Sequence, residues 1–315
     1  MAVRRLWRVL VAGIPLGGVS VLFLLARRSI AFTLTAALAA CGESRTQPNA
    51  ATDDFGDRIQ IAAPPKRIVS LNPATTEMLF ALGAGSRLVG RSKYDLWPDS
   101  ATLVPSVGNG IRPNVEAVLG KHPDLVVLYA SQDNRPAATR LRAAGVNTLS
   151  LKRDRVSDFR GNMLLLGALT GDTAQARIIV DSVYHTLDSV RLATAHLARP
   201  SVFWHIWDAP VVTIGGGSFM AELVDIAGGK NVYADIAASS AEVSLEDVAR
   251  RNPDFILAGP LGKTQIESDP RWRIVRAARE NKILVVDTGV VARPSVRLGE
   301  AAVALAKLLH PGALR

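Results

Sequence analysis

The chain has 315 residues, 48% of them hydrophobic, which is room for two ordinary domains with real cores. Its formal charge is +9, but five arginines and no acid fall in the first forty residues, so the remainder is only mildly basic. With no Lys/Arg run this argues against a nucleic-acid partner, and a single cysteine, Cys41, excludes a disulfide framework.

Val9–Ala26 is an apolar run long enough for a membrane span. Arg27-Arg28, a second apolar run Ile30–Ala40, and Cys41 follow. A positive pair, a short apolar core and small residues make a signal-peptide pattern. Leu38-Ala39-Ala40-Cys41 also resembles the bacterial lipobox, whose cysteine is acylated and begins the mature chain. Two apolar runs in series leave two readings open: initiation at Val19 or Val21 with an ordinary signal, or a true anchor at Val9–Ala26. Residues 1–41 are read as signal peptide and lipobox, and the polar stretch 42–54 as a flexible tether.

The N-terminal lobe is placed at 55–171. Phe55–Ile61 reads as an edge hairpin and Arg67–Leu71, rich in β-branched residues, as a buried strand. Asn72-Pro73 caps a helix that runs to Leu82 and closes on Gly83-Ala84-Gly85. Leu88-Val89-Gly90 is a short strand, followed by loops with Tyr94, Trp97 and Gly108–Pro113. Helix Val115–Lys121, strand Leu125–Tyr129, helix Ala137–Ala144 and strand Asn147–Leu151 complete an alternation that implies a parallel sheet with helices on both faces.

Thr173–Ala198 has no Gly or Pro, and Ala176, Val180, Val183, Leu187, Val190, Thr194 and Leu197 fall on one helical stripe. Asp172 with Gln175 reads as N-cap and reciprocal partner. At ~1.5 Å per residue the rod is roughly 39 Å long. Residues 172–199 are therefore read as a linker helix and 200–315 as a C-terminal lobe. That lobe has strands Val202–Ile206 and Val211–Ile214, then helix Phe219–Ala227 after Gly215-Gly216-Gly217. Helix Leu245–Arg251, strand Phe255–Ala258, helix Trp272–Glu280, strand Ile283–Val286 and helix Ala301–Leu309 follow.

The halves repeat. Val115–Leu128 matches Leu245–Ala258 position by position, with Glu116 on Glu246 and Pro123-Asp124 on Pro253-Asp254. Met78–Gly85 matches Glu222–Gly229. The fold class that follows is α/β, with two Rossmann-like lobes on mostly parallel sheets, joined by one long rigid helix with a ligand cleft between them. In such sheets ligands sit outside the carboxyl ends of the strands, where orphan helix N–H groups point. Asn72, Tyr94, Trp97, Arg112, Trp204, His205, Trp207 and Arg293 are the candidates there, and the aromatic ones suit a large flat ligand.

The run RIVSLNPATTEMLFALG, the Tyr94 loop, VEAV…HPDLVVL and VSLEDV…NPDFIL together resemble the substrate-binding proteins of ABC importers, in the subgroup for cobalamin, haem and ferric siderophores. The resemblance covers about 54–311. It implies capture of a corrinoid or iron chelate, with no cofactor, by a monomer that is lipid-anchored at the periplasmic or cell surface. Its partners would be an ABC permease dimer and its ATPase subunits. Glu116 and Glu246 would dock on the permease, one per lobe. Tyr94 and Arg293 stand where cobalamin-binding members place a Tyr and an Arg. Gly110 and a small residue near Ser240 replace aromatics those members carry.

Enzyme readings find little support. After Gly215-Gly216-Gly217 the third glycine of a dinucleotide fingerprint is missing, and no Lys-Ser/Thr makes a phosphate loop. None of the five histidines sits in a hydrolase motif. Only His205 is placed to act, as an axial ligand to a bound chelate; no metal is held directly by the chain.

Overall fold

The computed structural model describes residues 49–312. The signal peptide, the candidate span Val9–Ala26 and Cys41 lie outside them. Among the described residues no helix is long and apolar enough to cross a membrane.

Strand β1 (Asn49–Thr52) pairs antiparallel with β2 (Arg58–Ile61). Residues 49–52 of the stretch read as tether are thus a strand. Asp53 explains why: buried in the turn, it accepts from Phe55 N, Asp57 N and Ser150 N and pairs with Arg142, tying the hairpin to the lobe. The N-terminal sheet has the order β4-β3-β5-β6, all parallel, from β3 (Ile68–Ser70), β4 (Leu88–Arg91), β5 (Leu125–Tyr129) and β6 (Asn147–Leu151). Leu125 to Leu128 have no exposed surface, as expected of a strand covered on both faces. Helices α1 (Pro73–Ala81), α2 (Val115–Leu119) and α3 (Arg135–Ala143) belong to this lobe, and Asn72 caps α1 by accepting from Ala74 N at 3.0 Å.

A 15-residue helix absent from the sequence reading, α4 (Val156–Thr170), precedes the linker and ends on Gly171, at φ 87°. The linker helix α5 (Thr173–Thr194) buries Ala176, Val180, Val183, Leu187, Val190 and Thr194, the expected stripe. It stops at Thr194 instead of Ala198, leaving Leu197 outside. Asp172 makes no side-chain cap; its Oδ2 lies 4.0 Å from Arg87 Nη2. Helices α4 and α5 approach so closely that a Cβ on Gly167 would come within 2.4 Å of Ala176 Cβ.

The C-terminal sheet has the order β10-β8-β7-β11-β12, with β9 also on β7. Its strands are β7 (Ser201–Asp208), β8 (Val211–Ile214), β9 (Lys230–Asn231), β10 (Ser240–Glu242), β11 (Phe255–Ala258) and β12 (Ile283–Val285). β7 runs parallel to β9 and β11, and β11 to β12, while β8 is antiparallel to β7 and β10 to β8. Helices α6 (Phe219–Ile226), α7 (Leu245–Arg251), α8 (Pro260–Ser268), α9 (Arg276–Arg279), α10 (Thr288–Val291) and α11 (Leu298–Leu309) cover it, and α11 packs on the linker helix α5. The helix expected at 272–280 is instead a 3₁₀ turn, 270–274, and α9, separated by the extended, buried Val275.

The internal repeat is also a repeat of hydrogen bonds. Residues 115–120 and 245–250 have the same order of buried and exposed positions. Asn114 and Ser244 cap α2 and α7 by accepting from the amide three residues on. His122 and Asn252, each before a Pro-Asp, are both left-handed at φ 47°. Asp124 then accepts from Lys66 N and Arg67 N ahead of β3, and Asp254 accepts from Ser201 N at the start of β7. The second repeated stretch shifts by one residue, because Gly83 and Gly228, both at φ 79°, share the role just past the helix end.

Candidate functional site

The carboxyl ends of the N-terminal strands converge on a cavity of about 280 Å³. Asn72 follows β3, Tyr94 follows β4, Tyr129 ends β5 and Arg153 comes two residues after β6. From the C-terminal lobe, Thr288, Ala292 and Arg293 close the cavity, so it lies between the lobes. A larger groove of about 620 Å³ runs beside the linker helix, but its charges are mostly committed: Arg155 to Glu222, Arg191 to Asp188 and Arg199 to Asp225.

A cross-lobe latch sits at the cavity's edge. Glu77 of α1, with no exposed side-chain surface, pairs with Arg293 Nη1 at 3.0 Å and accepts from Ser295 Oγ. Arg293 Nη2 donates to the Tyr94 carbonyl at 3.2 Å. Burial pushes the Glu77 carboxyl above its ordinary pKa, and the bonds from Ser295 and Arg293 pull it back only in part. Nearby Asp95 is likewise pushed up by burial, against hydrogen bonds from Ser92 and Thr76. Tyr129 donates to Asp154 at 2.7 Å; burial and that carboxylate push its hydroxyl up to about 12.

Of the residues picked from sequence, Asn72, Tyr94 and Arg293 meet at this cavity. Trp97 does not line it; Arg297 lies 5.0 Å over its ring. Arg112 turns outward to Asp133 at 2.8 Å. Trp207 is 61% exposed at the end of β7, with Nε1 donating to the Ala209 carbonyl.

Two choices are corrected. Trp204 is 2% exposed and packs in the main core with Val202, Ile214 and Leu257. His205 is 4% exposed, edge-on to Trp272 at 5.5 Å, and a Cβ on Gly262 would come 2.6 Å from its Nδ1. Its Nε2 faces Asp208 at 3.4 Å, and burial lowers its pKa despite that carboxylate. Enclosed in this way it does not line the interlobe cavity. Among the described residues no cluster of His, Cys, Asp and Glu could hold a metal ion.

Glu77, Tyr129, Arg153 and Ser295 were missed. Tyr129 and Arg153 carry a usable signal, since each stands at or just past the carboxyl end of a parallel strand. Glu77 reads as an ordinary helix acid until its partner 216 residues on is known.

Gly110 also lines the cavity. A Cβ there would meet the Leu71 carbonyl oxygen at 2.1 Å, so the backbone approach excludes any side chain. Glu116 and Glu246 are both exposed in the first turns of α2 and α7; Glu116 pairs at 3.1 Å with the exposed Arg140.

Comparison with known proteins follows the same lines. An ABC transporter substrate-binding lipoprotein of Bacillus subtilis, described as uncharacterized, is 28% identical over 268 residues, 82% of this chain and 85% of the relative. A cobalamin-binding protein of Halobacterium salinarum is 26% identical over 285 residues, 86% of this chain and 75% of the relative. The crystal structure of the periplasmic vitamin B12-binding protein of Vibrio cholerae superposes with a TM-score of 0.71 at 22% identity, covering 80% of this chain and 99% of that one, which speaks to the fold alone. The model for the periplasmic binding protein family matches residues 68–288. That match runs from the first strand of one sheet past the last strand of the other, and the chain accordingly belongs to the periplasmic binding protein family, a family of binding proteins and not of enzymes.

Proposed function

We propose that the chain is the extracytoplasmic substrate-binding lipoprotein of an ABC importer, which captures a corrinoid or another metal chelate between its lobes and delivers it to the permease. The observation that carries this reading is the interlobe cavity at the carboxyl ends of the β3, β4, β5 and β6 strands, closed by Arg293 of the other lobe. Two lobes facing each other bury far more of a ligand than one surface does. Tyr94, 50% exposed beside the cavity, and Trp207 on the opposite lobe offer aromatic faces to a flat ligand. Relatives named for cobalamin point to a corrinoid. A ferric siderophore or haem is the second reading, favoured by Gly110, where no aromatic ring fits. The absorption spectrum of protein purified from its native host separates corrin, haem and ferric catecholate bands; a colourless protein that binds none of the three on titration overturns the chelate reading.

Glu116 and Glu246 are proposed to dock on basic pockets of the permease. Their equivalent places at the starts of α2 and α7 suit a two-fold partner. Exposed first-turn acids contribute only tenths of a kcal/mol to stability, whereas losing a charge-assisted pair at an interface costs about 2–5 kcal/mol. Glu116→Lys with Glu246→Lys is expected to abolish uptake into vesicles holding the permease while ligand binding persists. Full uptake by the double variant returns both residues to plain helix-start acids.

A further inference from the structure

The floor of the interlobe cavity carries a guanidinium that closes no ion pair. Arg153 lines it with its guanidinium 4.8 Å over the Tyr129 ring, and among the described residues it forms no ion pair. Burial works against its charge and Arg293 adds to that, while Asp154 and Asp95 act in its favour without contacting it as ion pairs. The carboxylates close by are already engaged: Asp154 accepts from Tyr129, Asp95 from Thr76 and Ser92, and Glu77 from Arg293 and Ser295. Arg293 spends one amino group on Glu77 and the other on a carbonyl, and retains further N–H donors.

The remaining walls are donors as well. Asn72, 2% exposed, uses its Oδ1 to cap α1, and its Nδ2 has no acceptor. A buried donor without a partner is costly to the fold unless a ligand supplies an acceptor. Leu71, Asn72 and Pro73 bring the N-terminus of the nine-residue α1 to the same cavity, adding the positive end of a helix dipole. Two like charges held together, an idle amide donor and a helix N-terminus from independent parts of the chain all favour the same kind of occupant.

We infer that this floor is an anion subsite, in which Arg153 and Arg293, aided by Asn72, receive a peripheral carboxylate or phosphodiester of the chelate. The inference rests on the chelate-binding reading and narrows it: of two chelates with the same macrocycle, the one with the anionic arm is selected. At about 280 Å³ the cavity suits such an arm and not a whole macrocycle, which would lie between the exposed lobe faces above it.

The test uses matched ligands. Haem is compared with its dimethyl ester, which lacks the carboxylates, and cobalamin with cobinamide, which lacks the phosphodiester. In at least one pair the anionic member should bind about tenfold tighter, as expected for one added charge-assisted contact. Which pair shows the preference tells carboxylate from phosphodiester. Arg153→Gln should erase that preference while changing the affinity for the other member less than about twofold. Asn72→Asp, which keeps the capping oxygen but replaces the idle donor, should weaken the anionic member alone. A preference that survives Arg153→Gln, or a loss equal for both members, overturns the subsite. Should no macrocycle bind, the chelate reading itself fails, and the subsite is judged separately with benzoate and phenyl phosphate against benzamide. The ¹⁵N-labelled guanidinium resonance assigned by Arg153→Gln should then move with an anion and not with the amide; a resonance still under all three refutes the subsite.

Discussion

The latch of Glu77, Arg293 and Ser295 makes a quantitative prediction. Glu77→Ala removes a carboxylate with no exposed surface and leaves Arg293, whose side chain is 17% exposed, facing a hole in place of its counter-charge. Breaking a buried pair from one side costs about 3–5 kcal/mol, because the surviving charge stays desolvated. In a domain of this size that is a fall in Tm of roughly ten degrees. Replacing both partners together, Glu77→Leu with Arg293→Met, should cost much less, since no orphan charge remains. Urea unfolding of the parent, Glu77→Leu, Arg293→Met and the double variant closes the cycle, and a coupling energy below about 0.5 kcal/mol would show that the pair is not a latch. The pH dependence has a definite sign. Burial raises the Glu77 pKa, so the native state holds this proton more tightly than the unfolded chain does. Its contribution to stability is therefore fully present below the ordinary carboxylate value and is lost as pH rises through the raised one. Glu77→Gln should flatten that decline; an unchanged slope would assign it to another group.

Trp204→Ala should cost about 3–5 kcal/mol as a core truncation. Trp207→Ala should leave stability within about 1 kcal/mol and weaken ligand binding by roughly 1–3 kcal/mol; the reverse pattern in paired melting and titration curves would exchange their roles. Gly110→Ala should cost about 1–3 kcal/mol, since a Cβ meets a backbone oxygen that cannot rotate away, and a melting curve like the parent's would rule out that contact. Solution scattering with and without ligand should nearly superimpose, because a helix buried along its length makes a poor hinge; a marked compaction would count against it.

Strands β3 to β8, β11 and β12 were legible because β-branched runs between Gly and Pro have few alternatives, and the repeat because its two copies keep the same caps, left-handed residue and Pro-Asp anchor; the short β1, β9 and β10 carry no such run. Helix α4 was not legible, since its exposed polar residues Ser157 and Arg160 lie in its first half only, and Leu164, Leu165 and Ala168 carry apolar residues onto the same side in its second half and blur the helical period. Helix α8 opens on Gly-Pro and carries Gly262, which in sequence reads as a loop. Trp204 and His205 were expected at the site because they stand near the carboxyl end of the strand read at 202–206. That strand runs on to Asp208, and Val202 to His205 are all buried, covered on both faces, so only its last residues reach the surface. Arg153 belongs to no motif; only the sheet order, with β6 at its edge, brings it to the cavity.

The linker helix has a consequence for how occupancy is sensed. With α4 and α11 packed along it, α5 acts as a strut, and the separation between α2 on one lobe and α7 on the other is that of two pins on a rigid plug. On the docking and rigidity proposed above, a partner gripping those pins would meet the same spacing whether the protein is loaded or empty. Only contacts that differ between two states can shift a partner's choice between them. The full and empty forms then differ in what fills the gap between the prongs, and a transporter that tells them apart has to probe that gap directly.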